Sequence, residues 1–237
     1  MKIIEKFKQR QENLNSELPV IAFLGDSVTQ GCFEIYQKDD GNIDTIFEPE
    51  NSYPRRLAKI FATIYPKVPP VIVNAGISGD IAKNGLARLE RDILRFKPDL
   101  TVVSFGLNDC GLNIYDDYVA SLREIFTKLQ ENGSEVIFLA PNSCCSRVSE
   151  KISLPTEREI AAGSVAMLKE GRLDKFFNGA KQVAKECGVT VCDVYSMWRQ
   201  MDKAGVDITE LLSNYINHPV REMYQLFADE LFKCIMN

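Results

Sequence analysis

The sequence predicts an α/β protein in which a parallel β-sheet lies between two layers of helices. Three observations carry this prediction. Short apolar runs alternate along the chain with longer stretches of helical period. The apolar runs are continuous rather than alternating in and out, as strands covered on both faces are. The 237 residues suit one large domain able to bury a sizeable core, and no internal repeat, low-complexity tract or linker divides them, so a single domain over residues 1–237 is expected. Strand–helix alternation with right-handed crossovers closes into such a sandwich.

The elements follow in order. Pro19-Val-Ile-Ala-Phe-Leu24 reads as the first buried strand and Val71-Ile-Val-Asn74 as the second. Leu100-Thr-Val-Val-Ser-Phe105, Glu135-Val-Ile-Phe-Leu-Ala140 and Val189-Thr-Val-Cys-Asp193 read as the third, fourth and fifth. Between the first two strands, Leu57, Ile60, Phe61 and Ile64 share one helical face, with Pro54 in the first turn. Ala82, Leu86, Leu89 and Ile93 form a second stripe. Val119, Leu122, Ile125, Phe126 and Leu129 form a third, ended by Asn132-Gly133. Leu173, Phe176, Phe177, Ala180 and Val183 form a fourth, ended by Gly188, and a last helix runs from about Arg221 to Cys234. The stretches from about Gly31 to Asn51 and Asn142 to Ser164 read as long loops, a common place for binding loops or lids.

Composition excludes some partners. A formal net charge of −5 gives no electrostatic support to a nucleic acid or an anionic membrane. Charges interrupt the apolar residues of Met1-Lys-Ile-Ile-Glu-Lys-Phe-Lys, so no secretory signal is read there, and no stretch has the length of a membrane-spanning helix. The seven cysteines are odd in number and none are spaced C-x-x-C, so zinc is not suggested. Free thiols in a reducing, cytoplasmic compartment are expected.

The chemistry-bearing residues stand at strand ends, where open α/β sheets bind ligands. The first strand runs into Gly25-Asp26-Ser27, the second into Asn74-Ala-Gly-Ile-Ser-Gly-Asp80, and the third into Gly106-Leu-Asn-Asp109. The chain has one histidine, His218, just before the last helix. A serine hydroxyl is a weak nucleophile until a base takes its proton, and histidine is the side chain suited to that near neutrality. Ser27, exposed at a cleft, is the candidate nucleophile and His218 the candidate base, with an expected pKa near 6–7. The backbone N–H groups of Ser27 and Gly79 and the side-chain amide of Asn108 are candidate donors to a tetrahedral oxyanion.

These blocks resemble those of the GDSL family, the SGNH hydrolases: Gly-Asp-Ser, Asn-x-Gly-x-Ser-Gly, Gly-x-Asn-Asp and a late His-Pro, in the family's order over residues 25–219. The resemblance implies a flavodoxin-like three-layer α/β/α fold with a five-stranded parallel sheet, and ester hydrolysis by Ser27 and His218. It implies Gly79 and Asn108 as oxyanion-hole residues, and neither metal nor cofactor. The expected partner is a small-molecule ester, with a short acyl group and an acetylated saccharide as the best guess from the family's habits. One position departs. The family usually has an aspartate three residues before the histidine, and Tyr215 stands there in this chain. The imidazole is then oriented by a backbone carbonyl, by a neighbouring polar side chain such as Asn214 or Asn217, or by a relocated acid among Asp207, Glu210 and Glu222.

Plainer readings stand beside these. Gly-Asp-Ser is often only a turn, and Gly76 and Gly79 suit a tight strand–helix connection. Asp26, Asp80, Asp109 and Asn74 read as structural, capping helices or pinning loops. Two rivals to an esterase remain: an impaired hydrolase kept as a binding protein, and a flavodoxin-like binder of a phosphorylated ligand. The second lacks both G-x-G-x-x-G after the first strand and a Walker lysine.

Overall fold

The computed structural model describes residues 1–237. Its elements are α1 (Lys2–Glu12), β1 (Val20–Gly25), α2 (Ser27–Gln30), β2 (Cys32–Gln37), β3 (Ile43–Phe47), α3 (Tyr53–Ile64), β4 (Val71–Gly76), α4 (Ala82–Ala87), α5 (Leu89–Asp92), β5 (Leu100–Ser104), α6 (Leu107–Gly111), α7 (Tyr115–Glu131), β6 (Glu135–Ala140), α8 (Pro155–Lys169), α9 (Arg172–Glu186), β7 (Thr190–Asp193), α10 (Val194–Lys203) and α11 (Met223–Met236). Three short 3₁₀ turns lie at Pro49–Asn51, Leu94–Phe96 and Ile208–Leu211.

The five expected strands form one parallel sheet in the order β4-β1-β5-β6-β7, flanked by helices in an α/β/α sandwich. The chain leaves β1 for its neighbour β4, then returns to β5 on the other side, so the order reverses around β1. Gly25 at the end of β1 stands in register with Gly76 of β4 and Ser104 of β5. The crevice beyond the strand ends at such a reversal is the usual ligand site of this architecture. The burial that makes β1 and β5 central is nearly complete: Ile21 to Leu24 and Leu100 to Val103 are inaccessible or nearly so. The edge strand β4 is only partly covered, because it has a neighbour on one side alone.

Several parts of the chain differ from the sequence reading, among them α10, which follows β7 where no helix was expected. The stretch expected as a loop after Gly31 contains β2 and β3, an antiparallel hairpin outside the main sheet. The second long loop ends in α8, started by Pro155 at its first turn. The stripe from Ala82 to Ile93 is not one helix. It breaks at Arg88, whose buried guanidinium donates to Asp80, Gly25 O and Ala75 O. The N-terminal residues form α1, which buries Ile3, Ile4 and Phe7; Phe7 stacks on Phe61 of α3 and on Tyr65 at 4.7 and 5.0 Å.

Candidate active site

Ser27 opens α2 immediately after β1. Asp26 caps this one-turn helix by accepting from Val28 N at 3.0 Å, so the first acid of the block is structural. The helix packs hard against the end of β4. A Cβ on Gly76 would lie 2.3 Å from Gln30 N and 2.7 Å from Gln30 Cα, which only glycine permits. Asn74 completes the joint, donating to Thr29 O and accepting from Gly76 N.

The structure brings His218, 191 residues away, to Ser27: Nε2 lies 3.0 Å from Oγ. Nδ1 lies 2.7 Å from the backbone carbonyl of Phe33. A carbonyl oxygen can only accept, so Nδ1 carries the proton and Nε2 presents its lone pair to the serine hydroxyl. The loop bearing the histidine is held from within. Asn214 Oδ1 accepts from the backbone N–H groups of Ile216, Asn217 and His218 at 2.9–3.0 Å. Asn142, just beyond β6, donates to Asn217 O at 2.7 Å.

The two other candidates share one cavity wall with Asn217, the neighbour of His218, while Ser27 and His218 themselves are not part of that wall. Gly79 has φ +76°, a conformation natural to glycine, and its N–H makes no hydrogen bond within the protein. Asn108, in α6, donates one amide hydrogen to Asp80 O at 2.9 Å, which orients the group and leaves its second hydrogen. Gln30 Oε1 accepts from Ser78 N at 2.6 Å and ties the Gly79 loop to the nucleophile helix. Asp109 accepts from Ala82 N at 3.0 Å and pins the far end of that loop. Gly79, Asn108 and Asn217 lie on the wall of a cavity of about 540 Å³, within the range of small-molecule sites. Leu107, Ile160, Met167 and Ile216 form much of its apolar lining.

The family model of the GDSL-like lipase/acylhydrolase family matches residues 23–226, from the strand before Ser27 to the helix after His218. The chain belongs to the GDSL-like lipase/acylhydrolase family. An acetylxylan esterase from Geobacillus stearothermophilus is 26% identical over 132 residues, which are 51% of this chain and 58% of that protein. An arylesterase from Vibrio mimicus is 33% identical over 70 residues, 29% of this chain and 34% of that protein. The chain thus spans little more than half of the first relative and a third of the second. Among solved structures, a two-domain esterase active on acetylated mannans superposes with TM-score 0.68 at 18% identity, over 99% of this chain and 52% of that one. A catalytic mutant of an acetylxylan esterase from G. stearothermophilus superposes with TM-score 0.67 at 20% identity, over 92% and 94%. At these identities the likeness is one of fold.

Against the pattern of the GDSL-like family, the group on the imidazole is the Phe33 carbonyl, and none of the relocated acids reaches it. Asp207 and Glu210 pair with Arg147, and Glu210 also with Lys151, while Glu222 is exposed at the start of α11. Tyr215 has the left-handed φ of +56°, and its ring lies against Lys151 Nζ at 5.2 Å. Asn214 and Asn217 shape the loop without touching the ring.

Two expectations are corrected. The Ser27 hydroxyl is not exposed at a cleft: Ser27 and His218 are 4% and 5% accessible, packed against each other. The His218 pKa does not stay near 6–7. Burial drives it down to about 4, with the Phe33 carbonyl and the charge of Glu34 opposing the shift. Burial raises the carboxyl of Asp26 to about 7, aided by repulsion from Asp109 and Asp80, and that of Asp109 to about 6, aided by repulsion from Asp80. Phe33, Gln30 and Asn142 gave no sequence signal. Phe33 acts through its backbone, and the two amides act through partners that only folding supplies.

Proposed function

We propose that this chain is a serine carboxylic ester hydrolase that removes short acyl groups, acetyl groups on a saccharide foremost. The observation that carries the reading is the 3.0 Å contact of His218 Nε2 with Ser27 Oγ while Nδ1–H is held by Phe33 O. In this reading His218 takes the Ser27 proton as Oγ attacks the ester carbonyl carbon. Gly79 N–H, the remaining Asn108 amide hydrogen and the Ser27 N–H at the start of α2 stabilise the oxyanion. The protonated imidazole then gives its proton to the departing alcohol, leaving an acyl-serine. Water attacks that intermediate through the same base, releasing the acid and restoring Ser27.

The substrate class is supported by relatives whose names refer to acetylxylan and by structural neighbours described as active on acetylated mannans and acetylxylan. A reducing, cytoplasmic location is part of the proposal, supported by seven free cysteines. No helix is long and apolar enough to cross a membrane. The test is fluorophosphonate labelling of the wild type and Ser27→Ala, beside hydrolysis of p-nitrophenyl esters of rising chain length and of acetylated xylo- and manno-oligosaccharides. Labelling and turnover should vanish in Ser27→Ala with its circular dichroism and Tm near wild type. Near-wild-type turnover in that variant overturns the reading, and a preference for long acyl chains overturns its short-acyl part.

A further inference from the structure

The Phe33 carbonyl must be both free and immobile to hold His218, and the hairpin explains the first condition. Cys32 pairs with Phe47 and Ile35 with Thr45, so the register shifts between them and leaves Phe33 and Glu34 in an irregular step of β2. Such a step removes a residue from the ladder and re-aims its groups. The Phe33 carbonyl is thereby available to the imidazole. A small two-stranded ribbon is weak on its own, however, and it stands outside the main sheet.

Immobility comes from Arg221, three residues beyond His218. Its guanidinium meets Glu34 in a fork, with Nη1 to Oε1 at 2.7 Å and Nη2 to Oε2 at 3.0 Å. Nε donates to Glu48 Oε2 at 2.9 Å, and Nη2 also reaches Glu48 Oε1. Glu34 follows Phe33 on β2, and Glu48 follows β3, so one side chain grips both strands at the base of the ribbon. The guanidinium also lies 4.4 Å from the centre of the Phe33 ring. That ring packs on Tyr224, whose hydroxyl donates to Cys32 O at 3.1 Å. The three charged side chains are about one-third exposed, so the pairs act by geometry and number more than by individual strength.

We propose that Arg221 is a positioning residue: by clamping Glu34 and Glu48 it holds the Phe33 carbonyl on His218 Nδ1–H, so that the hairpin does the orienting work of the aspartate this chain lacks. The proposal rests on the esterase reading for its kinetic consequence, but the clamp itself is a statement about the ring. Glu34 adds a charge near the imidazole, which favours the imidazolium formed during acyl transfer. Arginine is specific to this task. Lysine keeps the charge but cannot form the fork and reach a second carboxylate together.

The experiment uses the single histidine of the chain, since the ¹⁵N resonances of one imidazole need no assignment by mutation. In the wild type, Nδ1 should appear protonated and Nε2 unprotonated at neutral pH. In Arg221→Met the two resonances should move towards each other as the tautomers mix. On p-nitrophenyl acetate, kcat should fall about 10- to 100-fold, as for a catalytic group misplaced by about 1 Å, with KM little changed. Arg221→Lys should recover part of both readouts, and Glu34→Gln should move both in the direction of Arg221→Met. A wild-type nitrogen pattern in folded Arg221→Met and Glu34→Gln overturns the proposal, as does an effect confined to KM. Should Arg221→Met fail to fold, Glu34→Gln and Glu48→Gln, each weakening one arm, decide by the same readouts. If the wild type hydrolyses no ester and Ser27 takes no fluorophosphonate, the esterase reading falls, and the nitrogen resonances alone decide the clamp.

Discussion

His218 is the residue at which environment most changes the expected chemistry. An imidazole in water titrates near neutrality, but this one is buried and its proton affinity drops to about pKa 4. Catalysis needs the neutral ring. Lowering the pKa therefore extends the active form towards acid, and kcat/KM should hold from pH 7 to about pH 5 and fall only as pH drops through about 4. The pH profile of kcat/KM on p-nitrophenyl acetate, run within the range where the fold is intact by circular dichroism, checks this. An acid limb centred near 6.5 would show that solvent reaches the ring. Asn108 is the second residue-scale case. Its amide is held by Asp80 O, so the spare hydrogen is aimed before substrate arrives. Asn108→Ala should lower kcat about 10²–10³-fold with a much smaller change in KM, because the donor acts on charge that develops in the transition state. Initial-rate kinetics separate the two, and a change in KM alone would make Asn108 a ground-state contact.

At the scale of elements, the site depends on how closely α2 meets the end of β4. The contact is backbone against backbone, with Gly76 facing Gln30 N and Cα. Flexible side chains can move aside, but these atoms cannot without shifting the nucleophile turn. Gly76→Ala should destabilise the fold by on the order of 3 kcal/mol and reduce turnover together. A denaturant midpoint and kcat measured on the same preparation check it, and a stable, inactive variant would mean that the turn moved without strain. Gly79 is a different case: nothing lies within 4 Å of its would-be Cβ, and its demand is the positive φ alone. The sequence could name both glycines but not distinguish these reasons. The hairpin was the larger omission. Its strands are short, and half their side chains stay exposed, so no continuous apolar run marks them.

Across the whole molecule, one core joins the sheet to both helical layers, and it reaches α1 through Ile3, Ile4 and Phe7. The backbone N–H groups of Lys2 and Ile3 donate to Glu135 at the start of β6, which ties this helix to the sheet. Phe7 is fully buried between Phe61 and Tyr65, so Phe7→Ala should cost about 3–5 kcal/mol. Calorimetry should show a Tm drop of about 10 °C in a single transition. A separate early transition would instead mean that α1 melts on its own. α1 meets the sheet at the start of β6, whereas Ser27 stands beyond the end of β1, so kcat below the transition should be unchanged.

What the sequence by itself determined is the periodic and the local. The five strands were legible because buried parallel strands are continuous apolar runs, and the site blocks were legible because reactive residues stand where those runs end. Ser27, Gly79, Asn108 and His218 could be named from their blocks, and the lack of an acid three residues before the histidine could be read directly. Only the tertiary structure decided what takes that acid's place. A backbone carbonyl carries no side-chain signature, and Phe33 meets His218 across 185 residues because a bulged hairpin and an arginine clamp bring it there. It also decided the electrostatics. The same imidazole titrates near neutrality in water and near 4 here, because its surroundings shift the proton affinity that its type sets.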